Sequence, residues 1–169
     1  MSTLPSPHIT DESKYQLKQE IMTKIKELAL RFPKKNSALI PALHIIQDEF
    51  GWVPPETVTQ LAEILQTHSN KIYGVLTFYT MFNKKPVGKY HIQVCRNLSC
   101  SLLGAKHIIE HLSEKLGIEP GENTEDDRFT LSQVECLGSC GTAPVMMIND
   151  KYYENLTTEK VDNILESLQ

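Results

Sequence analysis

The four cysteines are the residues of this 169-residue chain that are best suited to chemistry. They form two pairs, Cys95 with Cys100 and Cys136 with Cys140, in C-x4-C and C-x3-C spacing. Such pairs predict two loops that converge on one object with four sulfur ligands. A metal ion or an iron–sulfur cluster fits this description, and the spacing leaves zinc and a cluster equally open.

The residues beside the cysteines favour thiolate ligands. Cys100 directly precedes a predicted helix, whose positive N-terminal end lowers the pKa of a thiol. Gly138 and Gly141 let the backbone approach and direct N–H donors at sulfur, as an anionic cluster requires. Neither pair has the C-x-x-C spacing of dithiol oxidoreductases, so we do not expect that activity.

Composition and charge limit the possible partners. With 40% hydrophobic and 22% charged residues the chain has no run that could span a bilayer, so we expect no direct membrane insertion. A net charge of -4 argues against a nucleic-acid partner. The first arginine is Arg31, and no basic segment followed by an apolar one precedes it, which predicts a cytoplasmic location without structural disulfides.

The first half of the chain is predicted to be helical. Residues 1–12 read as a flexible leader and residues 13–85 as an N-terminal helical domain. Apolar residues at helical spacing predict helices over 13–31, 37–50, around 58–65 and over 71–82, with Ser69 or Asn70 as the cap of the fourth. The fourth segment is apolar on most sides, which predicts a core helix or, less simply, one shared with another surface.

Residues 86–169 are predicted to form an α/β domain. Strands over 90–94 and 129–135 end at Cys95 and Cys136, so both cysteine pairs should lie at one edge of a sheet. The other predicted elements are a helix over 101–116, a strand over 145–148, a strand around Tyr152 and a closing helix capped by Thr157 or Thr158. This order is too short for a doubly wound fold but suits a thioredoxin-like layer of strands with helices on its faces.

Four motifs together resemble a known family: FGWVP at 50–54, GVLTFY at 74–79, CRNLSC at 95–100 and CLGSCGTAP at 136–144. From Tyr15 onward the chain resembles the small 2Fe-2S subunit of the NADH-oxidising module of respiratory complex I, the NADH:quinone oxidoreductase. Related hydrogenases and formate dehydrogenases use similar thioredoxin-like ferredoxins. One departure is Asp127, where many relatives have Gly in the turn before the second strand.

The resemblance implies an α/β fold with a thioredoxin-like 2Fe-2S ferredoxin domain preceded by an N-terminal helical arm that docks a partner. It implies one 2Fe-2S cluster on Cys95, Cys100, Cys136 and Cys140, in a peripheral arm attached to the inner face of the membrane. That cluster would exchange electrons with FMN on a larger, NADH-binding subunit. The chain itself lacks a G-x-G-x-x-G loop, so FMN and NADH are expected only through the partner.

Two alternatives remain open at this point. The first is the equivalent diaphorase subunit of an NAD-linked hydrogenase or formate dehydrogenase. The second is a zinc-stapled interaction module without a redox role. The H-x-x-E-H motif at His107, Glu110 and His111 matches inverted zinc peptidases, but its helix needs Ile108 and Ile109 for the core, so we expect solvated side chains.

Overall fold

Residues 15–168 are described by a computed structural model, and they divide into two units between Pro86 and Val87. The first unit is helical and the second combines strands with helices. The leader predicted for residues 1–12 lies outside the described residues. No helix within 15–168 is long and apolar enough to cross a membrane.

Four α-helices form the first unit. They are α1 Gln19–Leu30, α2 Leu39–Phe50, α3 Pro55–Leu65 and α4 Ser69–Phe78, with a 3-10 turn at Lys35–Ala38 before α2. Each helix buries the apolar face that its sequence period predicted, and these faces share one core that includes Ile25, Leu43, Ile46, Leu61, Leu65 and Ile72. Gly51 ends α2 at φ 77°, the left-handed position expected for a glycine C-cap.

Two helix boundaries in this unit differ from the prediction. Helix α1 begins at Gln19 rather than residue 13, because Lys18 is extended and Tyr15 instead packs edge-on against Trp52 at 5.4 Å. Helix α4 ends at Phe78 rather than 82, and the N–H of Phe82 bonds to the Tyr79 carbonyl in a turn. The N-cap of α4 is His68, which makes no side-chain capping bond, so the prediction of Ser69 or Asn70 was wrong.

The second unit has a four-stranded sheet. Its strands are β1 Tyr90–Cys95, β2 Phe129–Val134, β3 Met146–Ile148 and β4 Lys151–Tyr153, in the order β2-β1-β3-β4. Strands β1 and β2 are parallel, whereas β3 is antiparallel to both β1 and β4. The helices are α5 Leu98–Leu102, α6 Ala105–Leu116 and α7 Thr158–Ser167. The predicted α/β architecture is confirmed.

A single apolar core joins the sheet of this unit to α6 and α7. It contains Ile92, Val94, Ile108, Leu112, Leu131, Met146, Val161 and Leu165. Helix α7 starts as predicted, because the Thr157 side chain accepts a hydrogen bond from the Lys160 N–H. The helix predicted over 101–116 is instead two helices, interrupted at Gly104 with φ 94°.

The turn into β2 approaches the start of β1 very closely. Asp127, where relatives have Gly, adopts φ 52°, the left-handed conformation that glycine favours. Its carbonyl accepts from the Lys89 N–H at 3.1 Å. Gly88 is buried there, and a Cβ atom at this position would lie 2.9 Å from the backbone of residues 127–129. Only a residue without a side chain fits.

Gly88→Ala is therefore expected to lower the free energy of unfolding by about 1 to 3 kcal/mol, because the backbone must shift to admit the methyl group. Denaturant unfolding of the full chain measures this change. The matched control is Gly74→Ala inside α4, where a Cβ meets nothing within 4 Å. There the substitution should be neutral or stabilising, since alanine favours helix. Equal destabilisation by both variants would contradict this account.

Candidate metal centre

The two cysteine loops leave the sheet at the same edge. Cys95 pairs with Val134 in the parallel register of β1 and β2, and the Arg96 N–H bonds to the Val134 carbonyl at 2.9 Å. The chain continues from Val134 through Glu135 to Cys136. The prediction that both cysteine pairs follow strand ends at one edge is confirmed.

Cys95 and Cys100 form a buried pair, with only 4% and 2% of their surfaces exposed. Ala105 and Val145 pack against them, and the Cys95 N–H bonds to the Val145 carbonyl at 3.1 Å. Helix α5, which contains Cys100, starts at Asn97, whose side chain accepts from the Leu98 N–H at 2.6 Å. The first loop is thus fixed from both the sheet and the helix.

Burial raises the pKa of the Cys100 thiol, and its hydrogen bond to the Cys95 side chain acts in the same direction, against a bond to the Val145 backbone. The expectation of a lowered pKa for this thiol was wrong. Cys100 does not precede a long helix with free N–H groups. It lies within the five-residue α5, where desolvation outweighs any effect of the helix end.

Cys136 and Cys140 form an exposed pair in the second loop. Gly138, between them, adopts φ 75°, and this left-handed turn directs its N–H at the Cys136 sulfur at 3.3 Å. The predicted donation from Gly138 to sulfur is confirmed. Cys140 opens a 3-10 turn at Cys140–Thr142. Its charge, when ionised, also raises the pKa of the Cys100 thiol, so these two sulfurs are electrostatic neighbours.

Two side-chain contacts hold the loops from outside. Arg96 donates from Nε to the Glu135 carboxylate at 3.0 Å, joining the residue after Cys95 to the residue before Cys136. Both side chains are exposed, so this ion pair stabilises the fold by less than about 1 kcal/mol. The Tyr152 hydroxyl on β4 donates to the Leu137 carbonyl at 3.1 Å, which ties the second loop to the sheet.

A third contact comes from Glu154, just after β4. Its Oε1 accepts hydrogen bonds from the Ser139 hydroxyl and, at 2.7 Å, from the Thr142 hydroxyl. These bonds, that of Ser139 first, lower the pKa of the Glu154 carboxyl. Sequence reasoning missed this residue, since a carboxylate 12 and 15 positions from its partners has no local signature.

The H-x-x-E-H motif forms no metal group. His107 is exposed as expected, and its partner is Glu110 on the same helix. His111 is not solvated as predicted: its Nε2 lies 2.8 Å from an Asp162 oxygen on α7, a structural contact between two helices. Within residues 15–168 no three cysteine, histidine, aspartate or glutamate side chains gather as a site for a single ion. The cysteines instead form one buried and one exposed pair.

This donor set fits a two-iron cluster. Each iron of a [2Fe–2S] cluster takes two thiolates, and the chain offers two pairs on neighbouring loops. The N–H aimed at the Cys136 sulfur is the kind of donor that stabilises anionic sulfur. Leu137, Ala143 and Val145 provide apolar packing around the buried pair. Such packing limits water at the sulfurs, which influences reduction potential.

The α/β unit and its four thiols define a small cysteine-ligated metalloprotein of the ferredoxin class. The model of the thioredoxin-like [2Fe-2S] ferredoxin family matches residues 25–169. The chain belongs to this family, and the thioredoxin-like fold and the family resemblance drawn from the motifs are confirmed. Membership implies a 2Fe-2S cluster, and so decides between cluster and zinc, which the spacing had left open.

Curated relatives agree over most of the chain, and all three described here are E-type subunits of NADH-quinone oxidoreductase. The second such protein of Rhizobium meliloti is 44% identical over 145 residues, 86% of each chain. The protein of Rickettsia conorii is 46% identical over 147 residues, 85% of this chain and 88% of that one. The protein of Aquifex aeolicus is 38% identical over 154 residues, 91% and 96% of the two chains.

Among solved structures, an NAD+-reducing [NiFe]-hydrogenase in the air-oxidized state matches with a TM-score of 0.68 and 24% identity. The match covers 78% of this chain and 22% of that longer chain. At this identity the likeness concerns the fold alone.

The burial difference predicts an order of thiol reactivity in the full chain after metal removal. An alkylating reagent should modify Cys136 and Cys140 at least about tenfold faster than Cys95 and Cys100, because the buried thiols are shielded and a raised pKa leaves less thiolate at Cys100. Mass spectrometry of timed samples measures each rate. The denatured chain is the control, in which all four rates should converge. Equal rates at Cys100 and Cys136 in the folded chain would contradict the structure.

Proposed function

We propose that this chain is the electron-transfer subunit of an NADH:quinone oxidoreductase. It holds one 2Fe-2S cluster on Cys95, Cys100, Cys136 and Cys140 and exchanges single electrons with the FMN of an NADH-binding partner protein. The observation that carries this proposal is the pair of cysteine loops at one sheet edge of a chain in the 2Fe-2S ferredoxin family. The names of the relatives at 38–46% identity support the host complex.

The division of labour between the two proteins follows from electron counting. A hydride carries two electrons, whereas a 2Fe-2S cluster accepts one at a time. A flavin can accept the hydride and release its electrons singly, so it must stand between NADH and this cluster. The sequence has no G-x-G-x-x-G phosphate loop, in agreement with an NADH site on the partner. We place the chain in the cytoplasm, in a peripheral arm on the inner face of the membrane.

The isolated chain should therefore be inert to NADH. Under anaerobic conditions its visible spectrum should stay oxidised with NADH alone and bleach once the flavin-bearing partner is added, because the partner converts a hydride into single electrons. Dithionite, which reduces the cluster without a flavin, serves as the positive control. Direct bleaching by NADH in a flavin-free preparation would overturn this division of labour.

We further propose that the helical unit, residues 13–85, docks the flavin-bearing partner. Helix α4 buries Ile72 and Leu76 in the core, so the core interpretation holds for that face. Its C-terminal end is exposed and apolar, and we call this surface the α4 patch: Tyr73, Phe78, Tyr79 and Met81, exposed by 40%, 76%, 38% and 43%. Aromatic and methionine side chains clustered on a surface are typical of the buried centre of interfaces.

Phe78 is the most exposed member of the α4 patch and should act as its anchor. Phe78→Ser is expected to weaken binding of the partner by about 2 kcal/mol, roughly 30-fold in Kd, as loss of a central aromatic anchor does. Titration of the flavin-bearing partner with the full chain measures this. Leu30→Ser is the matched control, since Leu30 is 80% exposed in the same unit but outside the patch. Equal affinities of the two variants would show that the patch is not the dock.

A further inference from the structure

The geometry assigns Glu154 as a positioning residue for the second cysteine loop, and we propose that its charge also lowers the reduction potential of the cluster. This inference rests on the proposed function, in that it takes Cys136 and Cys140 as cluster ligands. Glu154 itself is not a ligand. It acts on Cys140 through the residues on both sides of that cysteine.

The contacts of Glu154 enclose the Cys140 turn. One carboxylate oxygen accepts from Ser139, the residue before Cys140, and from Thr142, the last residue of its 3-10 turn. The Ser139 and Thr142 hydroxyls also lie 2.7 Å from each other, and the Thr142 N–H bonds to the Ser139 carbonyl at 3.2 Å. A single acceptor thus holds both ends of the turn that presents Cys140.

Glu154 is itself held in place by the backbone around it. The Asn155 N–H bonds to the Thr142 carbonyl at 2.7 Å, and the Leu156 N–H bonds to the Pro144 carbonyl at 3.0 Å. On its other side, Lys160 Nζ donates to the Glu154 carbonyl at 2.6 Å. The buried side chain of Leu156 anchors this segment in the core. The carboxylate therefore extends from a fixed support to a loop whose cysteines are exposed.

The chemistry of the loop explains why this support is needed. Of the four thiols, Cys136 and Cys140 are the exposed ones, and packing does not immobilise them as it does Cys95 and Cys100. A loop with few buried contacts opens locally at small free-energy cost, and each opening exposes a ligand to exchange. Hydrogen bonds to a charged acceptor are stronger than neutral ones, which makes a carboxylate the better clamp.

The carboxylate also carries a negative charge beside a cluster that gains an electron on reduction. The bonds from Ser139 and Thr142 and the nearby Lys160 lower the pKa of Glu154, so it is ionised at neutral pH. A fixed negative charge disfavours the reduced cluster and lowers the potential. The clamp and the charge are separable, because a glutamine amide oxygen can accept the same two hydrogen bonds without the charge.

The test compares three variants of the full chain. Glu154→Gln should keep the loop in place and raise the reduction potential measured by spectroelectrochemistry. Glu154→Ala should accelerate cluster loss to a chelator about fivefold, because the loop opens more often. It should also accelerate amide hydrogen exchange in residues 139–142. Glu166→Gln on the exposed side of α7 removes the same charge without touching the loop, and should match the wild type in all three measurements.

The outcomes separate this inference from the proposed function. A wild-type cluster with wild-type exchange and release rates in Glu154→Ala would overturn the positioning role and leave the proposed function intact. An unchanged potential in Glu154→Gln would overturn the electrostatic role. Stoichiometric zinc in the wild type, with no sulfide, would overturn the proposed function together with the cluster part of this inference. Hydrogen exchange would still decide the positioning of the loop.

Discussion

The parallel pairing of β1 with β2 is the constraint on which the metal centre depends. Six residues on each strand pair in register, from Tyr90 with Phe129 to Cys95 with Val134, and both strands run toward the same edge. An antiparallel pairing would place Cys95 and Cys136 at opposite ends of the sheet. Because a parallel pair requires a long crossover, the chain between the cysteine pairs must supply a helix, and α6 occupies that position.

The two halves of the centre are stabilised by different physics. Apolar packing holds the first loop, whose thiols are buried against Ala105 and Val145. Polar contacts hold the second, through the Gly138 N–H, the Tyr152 hydroxyl and the Glu154 carboxylate. This asymmetry gives the cluster a fixed side and an accessible side. An electron-transfer site needs both, since the ligands must not move while a redox partner must come close.

The sequence predicted most of what depends on local pattern. Apolar periodicity located the strands and helices, because burial of one face sets that period. The positions of Cys95 and Cys136 at strand ends were enough to place both loops at one edge. The ligand-loop motifs indicated the family, which the comparisons confirmed.

What the sequence could not predict depends on tertiary contact. The break at Gly104 divides a stretch whose apolar pattern continues, so only the left-handed backbone reveals it. The raised pKa of Cys100 follows from burial against Cys95 and Val145, residues that the helix pattern does not bring near. Glu154 acts across 12 to 15 positions of chain, and nothing in its neighbours distinguishes it from a surface carboxylate.

The most direct test of this account is the metal and sulfide content of the full chain, purified anaerobically. The account predicts two irons and two acid-labile sulfides per chain, with a spin signal only after reduction, because a 2Fe-2S centre becomes paramagnetic when it accepts one electron. One zinc per chain without sulfide would contradict it. That result would leave the fold in place and remove the electron-transfer role.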